Sequence, residues 1–263
     1  MREYSGEYLI VEDLFGYRIN TVLKFTLFQD ESDCEKSSFL YHGFLFVRNK
    51  NGRKTLNELM DVKKKYNREK REIHFNELNQ HSKSPYGVKT RIALEWLNLT
   101  RKNLENDKIK FYCFGINKNN VKNFWINPNS YEKNIYLRFF EIGLKSAIIW
   151  FNLKKINFTY LDSERYDEGR KQRIRWLNLD FFKERLSNVI NTRNLELLSS
   201  DEKESKSEFS NFLQLVDILT GVTRSSFVKL GENQKGQKEC VNNFIDIIER
   251  FNNSNIAYRK GSR

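Results

Sequence analysis

Proline and glycine are scarce in this chain of 263 residues, with two prolines and 12 glycines. That scarcity excludes collagen-like, Pro-rich stalk and solenoid-linker architectures. Cysteine is rare too. Cys34, Cys113 and Cys240 are widely spaced and odd in number, which argues against a disulfide framework and for a reducing cytoplasm. No apolar run approaches the roughly 18 residues of a membrane span; the best stretch, residues 142–153, is interrupted by Lys145 and Asn152. The opening MREYSGEY lacks the apolar core of a secretory signal. Neither GxxxxGK followed by Ser or Thr nor GxGxxG occurs, so nucleotide-hydrolysing and dinucleotide-binding readings lose support. Three histidines and three cysteines show none of the close spacing of a structural zinc site.

What is present is positive charge on a core-forming background. Hydrophobic residues make up 39% and aromatics 14%, enough apolar surface to fold. Lys and Arg number 46 against 34 acids, a net charge of +12, which points to a polyanionic partner such as nucleic acid. The Lys, Asn, Ile, Phe and Tyr bias of an AT-rich genome accounts for part of that excess. Residues 48–71 carry ten Lys/Arg and three acids, over half of it. A second basic cluster, Arg165, Arg170, Lys171, Arg173 and Arg175, has Tyr166 and Trp176 beside it. Lys63, Lys64, Lys65, Arg68, Arg170, Lys171 and Arg173 are the candidate phosphate contacts, with aromatics to stack bases. A solvated helix face is the equal alternative.

Apolar periodicity alternates between strands and helices. Residues 24–30 and 39–47 read as two antiparallel strands, and residues 55–70 as a charged amphipathic helix with Leu56, Leu59, Met60 and Lys63 on one face. Residues 72–75 form a short extended candidate, followed by a helix over 89–104 and a strand ending near Asn117. An Asn-rich loop leads to the most apolar helix, 134–151. Residues 156–162 and the NLELLSS run are strands, and helices cover 207–227 and 237–251. This order implies one α/β domain, a mixed sheet covered by helices. An N-terminal extension occupies about residues 1–20, and a loosely packed tail about 252–263.

Several acids sit where a structural role does not easily explain them. Asp30 and Glu31 close an apolar strand and Asp162 ends another; functional residues collect at the carboxyl ends of strands in open α/β sheets. Asp217 lies inside the apolar helix run FLQLVDILTG, where a carboxylate is costly unless paired, neutralised or metal-bound. Alternation puts Glu72 and His74 on one face of EIHF. His74 is read either as a proton shuttle or substrate-orienting group or as a structural histidine. Gln214, one turn before Asp217, either hydrogen-bonds the site or faces solvent. Carboxylates converging from strands and a helix would make an oxygen-rich pocket for Mg²⁺ or Mn²⁺, and such ions can drive phosphodiester cleavage.

QDESD (residues 29–33) followed by FLYHGFLFV resembles the acidic opening of the domain-of-unknown-function 3800 family. EIHFNEL resembles that family's internal acidic element, INFTYLD its later strand ending in Asp, and SKSEFSNFLQLVDILTG its closing LQ-apolar-apolar-D signature. The resemblance spans about residues 25–227 in the family's order. Asp33 takes the place of the family's usual glycine one position late, and Val216 that of its usual alanine. The resemblance implies an RNase H-like fold and a metal-dependent nuclease. Asp30, Glu72, Asp162 and Asp217 would then be the catalytic, metal-binding carboxylates, with Glu31, His74 and Gln214 around them. It further implies bacterial antiviral defence or mobile-element contexts and a companion defence protein. A nonenzymatic nucleic-acid-binding or partner-binding subunit of a defence or toxin assembly is the alternative.

Overall fold

The run Phe39–Arg48 is buried at every position but its first, and a strand with that profile needs cover on both faces. Its neighbours supply it. The computed structural model describes residues 3–5, 8–12, 18–22, 24–33, 39–78, 87–117, 131–153, 156–162, 183–184, 186–187, 190–201, 207–227, 230, 234–250 and 256–260. Within the expected N-terminal extension, β1 (Glu3–Ser5), β2 (Tyr8–Glu12) and β3 (Arg18–Val22) form an antiparallel sheet of their own. The main sheet has six strands: β4 (Phe25–Asp33), β5 (Phe39–Arg48), β6 (Ile109–Asn117), β7 (Ile156–Asp162), β8 (Leu195–Leu198) and β9 (Ile256–Lys260). Their order is β8-β7-β4-β5-β6-β9. β4, β5 and β6 make an antiparallel meander, β7 and β8 add parallel strands on the β4 side, and β9 lies parallel to β6.

The helices are α1 (Asn49–Lys65), α2 (Val88–Glu105), α3 (Tyr131–Trp150), α4 (Ser210–Ser226) and α5 (Lys235–Arg250). Side-chain alternation sorts them onto two faces. Tyr41, Leu45 and Val47 of β5 join one core with α1, α2, α4 and α5. Leu40, Phe44 and Phe46 join a second core with α3 and the stretch around Leu186 and Ile190. The mixed α/β sheet flanked by helices is therefore as the periodicity indicates.

Several boundaries differ from the sequence expectation. α1 begins at Asn49 rather than 55, because Asn49 N–H donates to Lys24 O (3.0 Å) and Arg48 N–H to Lys108 O (2.9 Å). These bonds anchor the polar RNKNGRK stretch directly at the end of β5. Residues 71–74 join no sheet, and Phe75–Glu77 is a single 3₁₀ turn. The expected loose tail contains β9, registered from Phe111↔Ile256 to Gly115↔Lys260; an edge of β6 left without a partner satisfies its backbone by recruiting it. Among the described residues no helix is long and apolar enough to cross a membrane.

Candidate functional site

Asp30 and Asp162 come together through strand register. Phe28 pairs with Tyr160 and Gln29 with Leu161 across the parallel β4–β7 ladder, so Asp30 and Asp162 stand next in line. Asp162 ends β7, whereas β4 runs on to Asp33 because its pairing with β5 continues, so Asp30 and Glu31 do not close their strand as the sequence suggests. Both are buried, at 9% and 8% exposure. They point to the α4 side. Two residues before Asp30, the Phe28 ring lies 4.6 Å from that of Phe212 on α4 and 5.2 Å from Tyr160. Gly43, opposite Asp30 on β5, has Thr220 and Val216 of α4 where a Cβ would stand. The bare glycine lets α4 cross close over the strand ends, and Asp217 follows Val216 on that helix.

Glu31 is sent the other way. Its carboxylate accepts from Gln29 Nε2 at 3.3 Å, and Gln29 lies 3.5 Å from His42 Nδ1. This group lies on the face covered by α3, where the His42 ring meets Phe140 edge-on. Glu31 is therefore not an alternate member of the Asp30 group, because adjacent strand residues face opposite sides.

Glu72, His74 and Asp217 form a chain. His74 Nε2 is 2.8 Å from Glu72 Oε1, and its Nδ1 is 3.3 Å from Asp217 Oδ2. Phe75 N–H also donates to Asp217 Oδ2, at 2.8 Å. Burial alone would lower the His74 pKa, but the hydrogen bonds to Asp217 and Glu72 outweigh it and push the pKa up to about 11. The imidazolium donates from both nitrogens. Burial likewise pushes Glu72 up, yet bonds from His74 and Ser200 hold it below its ordinary value.

Gln214 fixes this segment from beneath, and it does so as a buried side chain. Its Oε1 accepts Ile73 N–H at 3.2 Å and its Nε2 donates to Ser200 O at 2.7 Å. Ser200 in turn donates to Glu72 Oε1. Lys63, expected at the phosphate-binding surface, is 1% exposed and donates to Asn211 Oδ1 at 3.1 Å and Gln214 Oε1 at 3.5 Å. It sits on the inward face of α1 with Leu56 and Leu59 and supports α4 instead of meeting a ligand. Lys65 is exposed and paired to Glu95 at 2.7 Å; Lys64 and Arg68 are exposed. Arg170, Lys171 and Arg173 lie outside the described residues.

The site thus consists of Asp30 and Asp162 on neighbouring parallel strands and Glu72 with Asp217 bridged by His74, all on the α4 side. The donors are the hard oxygens that Mg²⁺ and Mn²⁺ take. As placed, they fall into two pairs, and among the described residues no three His, Cys, Asp or Glu side chains are arranged to hold a metal ion. Ser200 and Asn211 escape a reading of the sequence. Only the position of Ser200, just beyond the carboxyl end of β8, hints at a site role.

Phe75 ties backbone packing to this geometry. A Cβ on Gly221 would stand 2.3 Å from the Phe75 ring. Gly221→Ala is expected to destabilise the fold by about 1–3 kcal/mol, read as a lower urea midpoint. An unchanged midpoint would mean that the Phe75 contact yields freely.

The chain matches no family model, no curated protein and no solved structure.

Proposed function

We propose that this chain is a Mg²⁺- or Mn²⁺-dependent nuclease of RNase H-like fold, hydrolysing phosphodiester bonds of nucleic acid in defence against phage. The observation that carries the reading is that two pairs of sequence-distant acids lie on the α4 side of the sheet: Asp30 with Asp162 on neighbouring parallel strands, and Asp217, on α4 itself, joined to Glu72 through His74. When bound, the metal supplies an activated water and charge on the leaving oxygen. Asp30, Glu72, Asp162 and Asp217, which stand as two pairs, are the proposed ligands, and holding one ion among them would require the pairs to close on it. Gln214 and Ser200 keep Glu72 in position, and Phe75 N–H orients Asp217. The basic excess, +12 overall, would draw in the polyanion.

A second reading has its own support. His74 occupies the space between Glu72 and Asp217 as a cation, so it competes with a metal for both carboxylates. A nonenzymatic subunit that binds nucleic acid or a companion protein would keep such a bridge permanently.

The two part in one experiment. Purified protein is incubated with single- and double-stranded DNA, RNA and hybrids, with Mg²⁺, Mn²⁺ or EDTA. The nuclease reading expects cleavage with metal, none in EDTA, and a loss of at least roughly a hundredfold in Asp217→Asn. Intact substrates throughout, with salt-sensitive binding that ignores Asp30→Asn and Asp162→Asn, would establish the second reading.

A further inference from the structure

Arg71, one residue before Glu72, helps line a small basic cavity that the proposed chemistry does not use. It measures about 250 Å³ and is lined by Arg68, Arg71, Lys89, Glu77 and the first turn of α2. Glu77 is the one acid among those lining residues, and it is already joined to Lys89. Neither Arg68 nor Arg71 has an acidic partner among the described residues. Three cations thus line the cavity with one carboxylate, which leaves it net positive.

The backbone adds to the same sign. α2 starts at Gly87, which offers no side-chain cap, and its first turn contains no acid; the free amides of a helix start carry partial positive charge. Guanidinium forks match phosphate oxygens two at a time. Arg71 directly precedes Glu72 in the chain, so the cavity's lining and the carboxylate group are joined through the backbone.

We propose that this cavity is a phosphate subsite, in which Arg68, Arg71 and Lys89 take a phosphate of the nucleic-acid strand beside the one facing the carboxylates. The choice of nucleic acid as the source of that phosphate rests on the proposed function; the subsite itself rests on the cavity and its charges.

The test runs in EDTA, so its outcome is independent of cleavage. Binding of fluorescein-labelled single-stranded DNA and RNA is followed by anisotropy over a salt series. Arg68→Gln/Arg71→Gln is compared with Lys70→Gln/Lys102→Gln, which removes the same charge from exposed positions outside the cavity. The pocket variant is expected to bind at least ~10-fold more weakly and to lose about 2 from the salt slope, against less than ~3-fold for the control. Arg68→Lys/Arg71→Lys keeps the charge without the fork and should fall between them. Inorganic phosphate, at matched ionic strength with chloride, should raise the thermal midpoint of the wild type and not that of the glutamine pocket variant. Equal losses in the pocket and control variants, or no loss in either, would overturn the subsite. A pocket variant that melts as the wild type does without phosphate rules out misfolding as the cause.

Discussion

Asp30→Asn is expected to lower metal-dependent cleavage by roughly a hundredfold to ten-thousandfold, equivalent to about 3–5 kcal/mol of transition-state stabilisation. The substitution is nearly isosteric and keeps the oxygen that accepts Glu31 N–H at 2.8 Å. Glu31→Gln is the matched control: its carboxylate points to the α3 side, and cleavage should change by less than about 3-fold. Single-turnover cleavage and urea unfolding of both variants check this. Undiminished cleavage by Asp30→Asn, or an equal loss in Glu31→Gln, would remove Asp30 from the proposed chemistry.

Folding stability is expected to fall steeply as pH drops from about 6.5 towards 3, with His42 as a principal cause. The side chain is fully buried, between Phe44, Phe140 and the Gln29–Glu31 pair, and that burial lowers its pKa to about 3. The sign follows from proton uptake. Below the ordinary histidine value of 6.5 the unfolded chain binds a proton there, while the folded chain stays neutral until about 3. The contribution is therefore fully present above pH 6.5 and declines by about 1.4 kcal/mol per pH unit below it, to a total of roughly 5 kcal/mol. His42→Gln cannot take up that proton. Unfolding free energies in urea at pH 7, 6, 5 and 4 should show a shallower decline for the variant than for the wild type. Parallel curves would assign the acid sensitivity to other groups.

How much of this was legible in the sequence depended on whether the deciding contact was local. β7 matches its run Ile156–Asp162 end to end, because its apolar and β-branched residues and the closing acid belong to one short segment. The meeting of Glu72 with His74 was readable from two-residue alternation. Their connection to Asp217 was not, since it spans 143 residues, and nothing in either segment's pattern encodes the other. β9 was hidden for a similar reason: IAYRK is a weak strand by composition, and it is the open edge of β6 that makes it one. Lys63 shows charge arithmetic and periodicity in conflict. The count placed it with the surface lysines, while the spacing with Leu56 and Leu59 placed it inward, and the inward position won because Asn211 and Gln214 receive its ammonium.

The pairs that build the site also set when it can exist. Ser200 reaches back 128 residues to Glu72, Gln214 reaches back 141 to Ile73, and Asp217 reaches back 143 to His74. Contacts this far apart in sequence carry a large loop-closure cost and form late in folding. A ribosome-bound chain that has emerged only as far as β7 holds Asp30, Glu72 and Asp162 but lacks α4, which fastens the segment carrying Glu72. The nascent chain therefore passes through most of its synthesis without an assembled carboxylate group. On the proposed reading, cleavage could begin only after α4 has docked onto the segment that carries Glu72.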